Sequence, residues 1–537
     1  MPIEVHRMGQ GPSPSRKRHM STDTVSIGQS PFTRIALWIS LCVVVGSYIC
    51  LPVSDPDLWW HITVGRWIVA HREIPSVDYW NMFSGSQIWR AYSWSNEILL
   101  ALIDARWGGV GLAVAQILVG ISLVACFQYV CGRLSRDNYI GALMGTYTAV
   151  ASYNNFTLRP QVIVWMFFAL ALCVADDIAQ KGVSRFRLAL LALIGCMWAN
   201  THLTAILGVG AVVLWSAQAS PGELSLKRAV QAGGAFFLGT LVTPYLGGEW
   251  LTFFAKGTHP LKYQAISEFQ PATILQFSSV FVLLLVFLLL VVSYTTRALP
   301  TLARGILASG MLLAGLTAVK FLPFAAISWA TLFSVWWREC GASHRSRVHD
   351  NFAEGLLVSK ERLWRLSAQT GQAIVFLLIA ISAVNITHLM RKPLNTSIVP
   401  QAAIDFIERY QLPHPLLNEF GTGGYLMYRF SDAAGVPRHK VAIDGRTNVN
   451  PEGIWEMYRT SFTGQASWHD FIDKVQAQTI VWRQGSPMVS LLLLSPEWCR
   501  VFSSGPGDED HAVFIRADIF RERISEFSSL DCSANKG

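Results

Sequence analysis

Charged residues are scarce in this chain of 537 residues, because Asp, Glu, Lys and Arg together make up only 15% of it. Soluble globular proteins contain about 25% charged residues. With 52% hydrophobic residues, the chain cannot cover its surface unless lipid solvates much of it. The composition therefore excludes a disordered chain, a collagen-like chain and an ordinary cytosolic enzyme, and it predicts a polytopic membrane protein.

The nine cysteines include no CxxC pair, so the sequence offers no signal for a zinc site or a dithiol redox site. Most of them lie in or beside apolar runs, where cysteine behaves as a small hydrophobic residue. Cys499 and Cys532 are able to pair if the C-terminal part is exported. Basic residues in the cytoplasmic loops of a membrane protein explain the net charge of +8. We therefore expect no nucleic-acid partner.

A membrane-spanning helix needs about 20 mostly apolar residues. Runs of roughly this kind predict an α-helical polytopic protein with about eleven spans. The runs are 34–53, 108–130, 138–153, 160–178, 186–200, 203–219, 229–246, 276–294, 303–319, 321–337 and 371–389. No apolar segment precedes residue 35, so residues 1–33 are predicted to be a disordered cytoplasmic tail and the first span an uncleaved anchor.

The positions of Lys and Arg predict the orientation of these spans, because basic residues concentrate in cytoplasmic loops. The basic run 16–18 places the N-terminus in the cytoplasm, and alternating spans then put every other short basic loop on the same side. Within a membrane domain covering 34–390, segments 53–107 and 243–275 become extracytoplasmic loops. The expected location is the inner (plasma) membrane, with membrane lipid around the spans.

Residues 391–537 change to ordinary soluble composition, which predicts an extracytoplasmic α/β domain. The pattern predicts helices at 401–410, 451–460 and 468–476, and strands at 415–419, 440–443, 478–482, 498–502 and 512–516.

The first outer loop begins with Asp55-Pro-Asp57 and continues with Trp59, Trp60 and His61. Two carboxylates at the membrane surface can hold a divalent metal, Mg²⁺ or Mn²⁺, or act as a general base. An Asp-Pro pair can equally cap the helix that follows. The tryptophans fit an interfacial belt or a platform for stacking on sugar rings, and the sequence leaves both uses open.

Other polar groups are predicted at the outer ends of spans, namely Arg159, His202, Glu268 and Lys320. Ionisable groups at membrane depth usually serve function, although near the interface ordinary capping explains them as well. An arginine such as Arg159 can pair with a lipid phosphate.

In the C-terminal domain, Asp444-Gly-Arg446 follows a predicted strand. Ligands gather at the carboxyl ends of strands in α/β domains, which makes Asp444 and Arg446 weak candidates for acceptor binding. A structural Asp–Arg pair is the alternative.

Eight short motifs follow one another along the chain in a recognisable order. They are DPDLWWH (55–61), GxWI (65–68), IPxxD (74–78), WxNxH (198–202), TPYLG (243–247), EFQP (268–271), FGTGGYL (420–426) and IDGR (443–446). This order resembles a family of bacterial polytopic proteins grouped with the GT-C superfamily, which includes oligosaccharyl transferases and protein mannosyltransferases. No sugar-specific motif and no acceptor-recognition motif of the oligosaccharyl transferases is present.

The resemblance implies a GT-C-like fold, a polyprenyl-phosphate sugar donor and a catalytic acid in the first outer loop, where Asp55 and Asp57 stand. Asp55 is favoured because it is nearer the end of the first span, and Glu268 is the reserve acid. Substrate binding would fall to His61, Arg159, His202, Lys320, Trp59 and Trp60. The implied reaction is an inverting sugar transfer to a saccharide, lipid or protein acceptor at the outer face, in the cell envelope.

Two other functions fit the same spans. A transporter or flippase of lipid-linked saccharide should place ionisable groups near the bilayer midplane, whereas the mid-span regions here are nearly free of them. That difference favours the enzyme. A non-catalytic subunit that assembles an envelope complex stays open, because one sequence does not show whether the acids are indispensable.

The orientation is testable with reporter fusions. We expect a fusion after residue 135 to report a cytoplasmic position and a fusion at residue 400 to report an exported one, because the basic loops fix the cytoplasmic side. A cytoplasmic signal at residue 400 would require an even number of spans and would remove all chemistry from the outer face.

Overall fold

The structure, a computed structural model, describes residues 31–85, 88–218, 223–256, 266–340, 368–395, 398–446, 448–505, 507 and 510–522. The predicted N-terminal tail up to residue 30, and Cys532, lie outside the described residues. Helices account for most of the described chain up to residue 391. They are α1 (Pro31–Tyr48), α2 (Leu58–His71), α3 (Trp94–Ser135), α4 (Asn138–Ala151), α5 (Pro160–Lys181), α6 (Arg185–Ala199), α7 (Ala205–Ala217), α8 (Leu226–Thr240), α9 (Gly248–Lys256), α10 (Phe277–Thr296), α11 (Leu302–Thr317), α12 (Leu322–Glu339) and α13 (Ala368–Arg391).

Each of the eleven predicted apolar runs forms a helix. Five helical segments are long and apolar enough to cross a membrane, and three shorter helices are also apolar. The five are Trp94–Ser135, Pro160–Lys181, Phe277–Thr296, Val319–Glu339 and Gln369–Arg391; the shorter ones are Ile35–Tyr48, Ala205–Ala217 and Leu302–Thr317. The chain is therefore a multi-pass membrane protein, and the number of eleven spans stays a prediction.

The segment predicted as the first outer loop contains more helix than its sequence pattern indicates. Helix α2 lies within it, and α3 begins at Trp94 and continues for 42 residues through the predicted second span. Gly108 bends α3, with φ 56° and ψ −148°. That conformation is open to glycine and strained for other residues.

The membrane helices approach one another closely where glycine faces a neighbouring backbone. A Cβ atom added at Gly46 of α1 would lie only 2.6 Å from the Cα atom of Ile121 in α3. Small residues permit such contacts between membrane helices. Helix α12 passes through the centre of this bundle, since every side chain from Leu322 to Trp336 is buried.

The far ends of α5, α11 and α12 are joined by a buried ion-pair cluster. Asp176 of α5 accepts hydrogen bonds from Arg338 of α12 (2.6 Å) and from Arg304 of α11 (3.0 Å). Removing one member of a buried ion cluster leaves an uncompensated charge, so this cluster fixes the three helices at the end opposite Arg159.

The C-terminal domain contains a four-stranded sheet in the order β1-β2-β4-β3. Strand β1 pairs with β2 in parallel, and the other two pairs are antiparallel. Its elements are α14 (Gln401–Arg409), β1 (Leu416–Asn418), α15 (Phe420–Arg429), α16 (Glu452–Thr463), α17 (Asp470–Val475), β2 (Thr479–Arg483), α18 (Pro487–Leu494), β3 (Trp498–Ser503), β4 (His511–Arg516) and α19 (Ala517–Glu522). Seven of the eight predicted elements are present.

The predicted strand 440–443 is wrong as a strand of this sheet. Val441 instead pairs with the first outer loop: its N–H donates to Trp80 O at 2.9 Å, and its carbonyl accepts from Met82 N–H at 3.0 Å. The apolar pattern indicated burial and an extended backbone correctly. It could not indicate that the hydrogen-bonding partner lies more than 300 residues earlier in the chain.

Arg446 joins the C-terminal domain to the first outer loop. Its guanidinium donates to Asp444 at 2.7 Å and also to Asp78, and each of these three residues is at most 4% exposed. Because the pairs are removed from water, loss of the arginine would leave two carboxylates buried without a counter-charge.

We expect Arg446→Met to destabilise the protein by about 3–5 kcal/mol, the usual cost of breaking a buried ion cluster. Thermal unfolding of the purified full chain measures this. The matched control is Arg459→Met, whose ion pair with Glu456 is at the surface and should matter little. Equal shifts in the two variants would contradict a structural role for the Arg446 cluster.

Candidate functional site

A cavity of about 620 Å³ lies where the ends of the membrane helices meet the segment predicted as the first outer loop and the C-terminal domain. Seven of the predicted site residues line it: Asp57, Trp60, His61, Arg159, His202, Glu268 and Lys320. Positions spread over more than 250 residues of sequence therefore converge on one volume.

The two aspartates of the DPD motif have different environments. Asp55 is 2% exposed, and its Oδ1 accepts a hydrogen bond from the Asp57 N–H at 2.8 Å. Asp57 immediately precedes helix α2, yet its side chain makes no capping hydrogen bond. Since a capping aspartate would accept from the first turn of the helix, capping does not account for the Asp57 carboxylate.

Arg159 holds three carboxylates together, and we call Asp55, Asp57, Arg159 and Glu268 the carboxylate–arginine cluster. Arg159 Nε donates to Asp55 Oδ2, and Nη1 donates to Glu268 Oε2 at 3.0 Å. Nη2 lies 3.2 Å from Asp57 Oδ2. Each guanidinium nitrogen thus faces a different carboxylate.

Local sequence explains where Arg159 stands. It precedes Pro160, the first residue of α5, and has the extended backbone (φ −117°, ψ 154°) that a following proline favours. The arginine therefore sits at the outer end of α5 rather than within the helix. Glu268 belongs to a short 3₁₀ turn, Ser267–Phe269.

Burial is the largest influence on the pKa of Asp57 and raises it from 3.8 to about 7, with Arg159 lowering the pKa and the charges of Asp55 and Glu268 raising it. Burial lowers the pKa of Arg159, but the surrounding carboxylates outweigh that effect and raise it. Arg159 is accordingly a permanent cation, and Asp57 has the pKa of an efficient general base at neutral pH.

The geometry favours Asp57 over Asp55 as the carboxylate that meets a substrate. Asp57 lines the cavity and its side chain is 20% exposed, whereas the Asp55 side chain is 0% exposed. Asp55 is nearer the first helix, as the sequence indicates, but its oxygens are directed at Arg159 and the Asp57 N–H. Asp55 therefore positions the Arg159 guanidinium and the backbone of Asp57.

The two histidines of the cavity have different partners. His61 Nδ1 lies 3.1 Å from Glu97 Oε1, with both side chains buried. Burial, followed by the nearby positive charge of Arg159, lowers the pKa of His61, so its imidazole is neutral at pH 7. His202 Nδ1 lies 2.9 Å from the Thr204 hydroxyl.

Lys320 is held at the cavity wall by aromatic rings. Its Nζ atom lies 3.3 Å from the ring centroid of Phe269 and 5.2 Å from that of Phe321. An ammonium group over an aromatic face is attracted by the ring's negative face. The lysine therefore presents a positive charge in the same cavity as Asp57.

Trp59, Asp444 and Arg446 do not line the cavity. Trp59 packs edge-on against Tyr425 at 5.2 Å between ring centroids and so contacts the C-terminal domain. Asp444 and Arg446 form the buried ion cluster with the outer loop described above. The binding roles of Trp59, Asp444 and Arg446 remain predictions. The alternative of a structural Asp444–Arg446 pair matches the contacts observed.

Tyr92 and Gly445 are among the cavity residues that were not predicted from the sequence. Tyr92 is in the outer loop, where burial raises the pKa of its phenol, and no motif or spacing marks it. Gly445 lies between the two residues singled out in IDGR. A side chain at Gly445 would collide with Asp57 Oδ1, so this glycine allows the C-terminal domain to form one wall of the cavity.

The cluster does not fit the predicted Mg²⁺ or Mn²⁺ ion. Among the residues that the structure describes, no three His, Cys, Asp or Glu side chains are arranged to hold a metal. The carboxylates of Asp55, Asp57 and Glu268 are directed at the Arg159 guanidinium instead.

Two solved structures with a similar architecture come from Archaeoglobus fulgidus. The archaeal oligosaccharyltransferase AglB, solved with an inhibitory peptide and a dolichol-phosphate, aligns with a TM-score of 0.51 and 12% identity over 89% of this chain and 74% of that one. The chain shares the fold of this oligosaccharyltransferase. A second structure of the Archaeoglobus fulgidus oligosaccharyltransferase, tethered to an acceptor peptide, aligns with a TM-score of 0.50 and 11% identity over 90% of this chain and 74% of that one.

No protein-family model matches the sequence, and a search of curated proteins finds no match either. At 11–12% identity, the structural likeness shows a shared fold and not a shared reaction. The residues that line the cavity are therefore the basis for inferring the reaction.

The raised pKa of Asp57 predicts a pH-dependent effect of Asp57→Asn on stability. The folded-state pKa of about 7 exceeds the ordinary value of 3.8, so the folded state binds this proton more tightly and the free energy of unfolding falls as pH rises between those values. Asparagine stays neutral and removes this loss. We expect the unfolding temperature of the variant, relative to the unsubstituted protein, to increase from pH 4 to 7 and then level off.

Asp518→Asn is the control for this measurement. A hydrogen bond from the Ile519 N–H is the largest cause lowering the pKa of Asp518, so its replacement should give no such gain. A difference between Asp57→Asn and the unsubstituted protein that does not change with pH would show that Asp57 titrates as an ordinary carboxylate.

Proposed function

We propose that this protein is an inverting membrane glycosyltransferase that moves a sugar from a polyprenyl-phosphate-linked donor to an acceptor at the extracytoplasmic face. One observation carries the proposal: a single cavity is lined by a partly exposed carboxylate, Asp57, and by two cationic side chains, Arg159 and Lys320. The GT-C fold agrees with it, since an oligosaccharyltransferase of that fold was solved with a dolichol-phosphate.

The donor's phosphate is the group that the cations are suited to bind. Arg159 and Lys320 both line the cavity, and positive groups stabilise a phosphate as it leaves. Trp165, Phe253 and Phe324 line the same cavity and offer apolar surface to the lipid chain or to the sugar ring. The cavity thus matches both parts of a lipid-linked sugar.

In the proposed reaction, Asp57 accepts the proton of an acceptor hydroxyl while the acceptor oxygen attacks the anomeric carbon. The bond from that carbon to the phosphate oxygen breaks, and polyprenyl phosphate leaves with the bonding electron pair. Arg159 and Lys320 offset its developing charge. A single displacement inverts the anomeric configuration. The acceptor is a saccharide, a lipid or a protein that carries such a hydroxyl.

The proposed location is the outer face of the inner (plasma) membrane. Cys499 is disulfide-bonded, and disulfides form and persist in oxidising, extracytoplasmic compartments. The C-terminal domain that contains Cys499 also forms a wall of the cavity through Gly445. Domain and cavity therefore share one side of the membrane, which supports a cytoplasmic N-terminus across an odd number of spans.

Reconstituted protein tests the proposed transfer. In proteoliposomes supplied with a radiolabelled polyprenyl-phosphate sugar and envelope acceptors, we expect Asp57→Asn to lower the rate of transfer by roughly 10²–10⁴-fold, the usual contribution of a general base. Lys320→Gln should raise the KM for the donor more than it lowers kcat, because it removes a charge that binds the phosphate.

Asp177→Asn is the matched control for these variants. Asp177 forms an ion pair with Arg133 at 3.0 Å, outside the cavity, and its replacement should leave transfer unchanged. If Asp57→Asn transfers sugar at the full rate with all variants equally expressed, Asp57 is not the base and the proposed mechanism fails.

A further inference from the structure

The carboxylate–arginine cluster gathers three carboxylates at the edge of the cavity, a concentration of negative charge that needs a cation. Asp55 comes from the start of the first outer loop, Asp57 from two residues later and Glu268 from the turn before α10. Repulsion among three partly buried carboxylates is costly without a counter-charge. Arg159 lies where the three meet.

We infer that Arg159 is the resident cation of this site and that its guanidinium takes the place that a divalent metal ion would otherwise fill. This assignment concerns the chain's own residues and holds whatever reaction the cavity supports. Its catalytic consequence, a sugar transfer that needs no added metal, rests on the proposed function.

The geometry of the contacts supports a guanidinium rather than an ion. Nitrogen–oxygen distances of 3.0 Å to Glu268 and 3.2 Å to Asp57 place these oxygens about 4 Å from the guanidinium carbon, given ordinary bond lengths. A Mg²⁺ ion would need them at about 2.0–2.1 Å. The carboxylates are therefore spaced for a planar group with a nitrogen at each corner.

Charge also opposes a second cation. Arg159 is half-buried against the carboxylates, and a divalent ion placed among the same oxygens would face a fixed positive charge a few ångströms away. Positive charges this close together repel each other strongly near a protein surface. Asp55 has both oxygens engaged already, by Arg159 and by the Asp57 N–H.

The consequence of this inference is a latent metal site that appears when the arginine is removed. Arg159→Gln removes both the positive charge and the planar group that holds the three carboxylates apart, so that their oxygens can close around an ion such as Mg²⁺ or Mn²⁺. Arg159→Lys keeps the charge but loses the planar fork, so it should not open the site.

The test is a titration of Mn²⁺ into the purified full chain at pH 7.5, followed by the electron paramagnetic resonance signal of free Mn²⁺. We expect no saturable site in the unsubstituted protein or in Arg159→Lys. In Arg159→Gln we expect one saturable site, because the repelling positive charge is gone. Asp55→Asn in that background should abolish it.

The matched control is Arg429→Gln. Arg429 also lies between two carboxylates, 2.8 Å from Asp405 and in contact with Glu408, but on the C-terminal domain and away from the cavity. Its removal should create no Mn²⁺ site, because two partly exposed carboxylates are insufficient to hold the ion.

Two results would overturn the inference. One is a saturable Mn²⁺ site in the unsubstituted protein that Asp57→Asn abolishes, which would make a metal the resident cation. The other is a folded Arg159→Gln variant without any gain in Mn²⁺ binding. If Arg159→Gln does not fold, the unsubstituted protein and Asp57→Asn decide the question alone: absence of a site upholds the inference, and its presence overturns it.

Activity provides a separate measurement. Transfer that persists in EDTA agrees with Arg159 as the cation. Absence of any transfer, together with a Mn²⁺ site that appears only in Arg159→Gln, would reject the proposed function while leaving the assignment of the cation intact.

Discussion

The meeting of Arg159 with Asp55, Asp57 and Glu268 is the interaction on which the rest of the site depends. It ties the start of the first outer loop and the turn before α10 to the outer end of α5. None of these charges is fully solvated, so each needs the others. The same contacts fix the direction of the Asp57 carboxylate and leave the arginine facing the cavity, while burial raises the pKa of Asp57.

A second constraint comes from the C-terminal domain, whose glycines allow it to lie directly on the DPD segment. A Cβ atom at Gly424 would lie 2.7 Å from Pro56 O, and one at Gly445 would collide with Asp57. The buried Arg446 cluster holds the domain in this position. The motifs FGTGGYL and IDGR therefore act through close packing, and the cavity is complete only when both halves of the chain are present.

The sequence identified the residues of the site but did not show which of them contact one another. Asp57, Arg159 and Glu268 could be selected because they follow or precede apolar runs at the outer ends of predicted spans. Their mutual contact could not be predicted, since about 100 residues separate each segment from the next and local patterns do not determine long-range pairing. The same reason explains why Val441 was assigned to the sheet and pairs with the outer loop. The relative roles of Asp55 and Asp57 depend on which side chain reaches the cavity. Because both residues are aspartates, the sequence does not show which of the two does so.

The most direct test of the account is an experimental structure of the full chain with a bound polyprenyl phosphate. The account predicts that the phosphate lies in the cavity within hydrogen-bond distance of Lys320 Nζ or the Arg159 guanidinium, with Asp57 on the side open to an acceptor. A phosphate bound elsewhere, near the middle of the spans and out of reach of Asp57, would contradict sugar transfer in this cavity and would favour a carrier of lipid-linked saccharide.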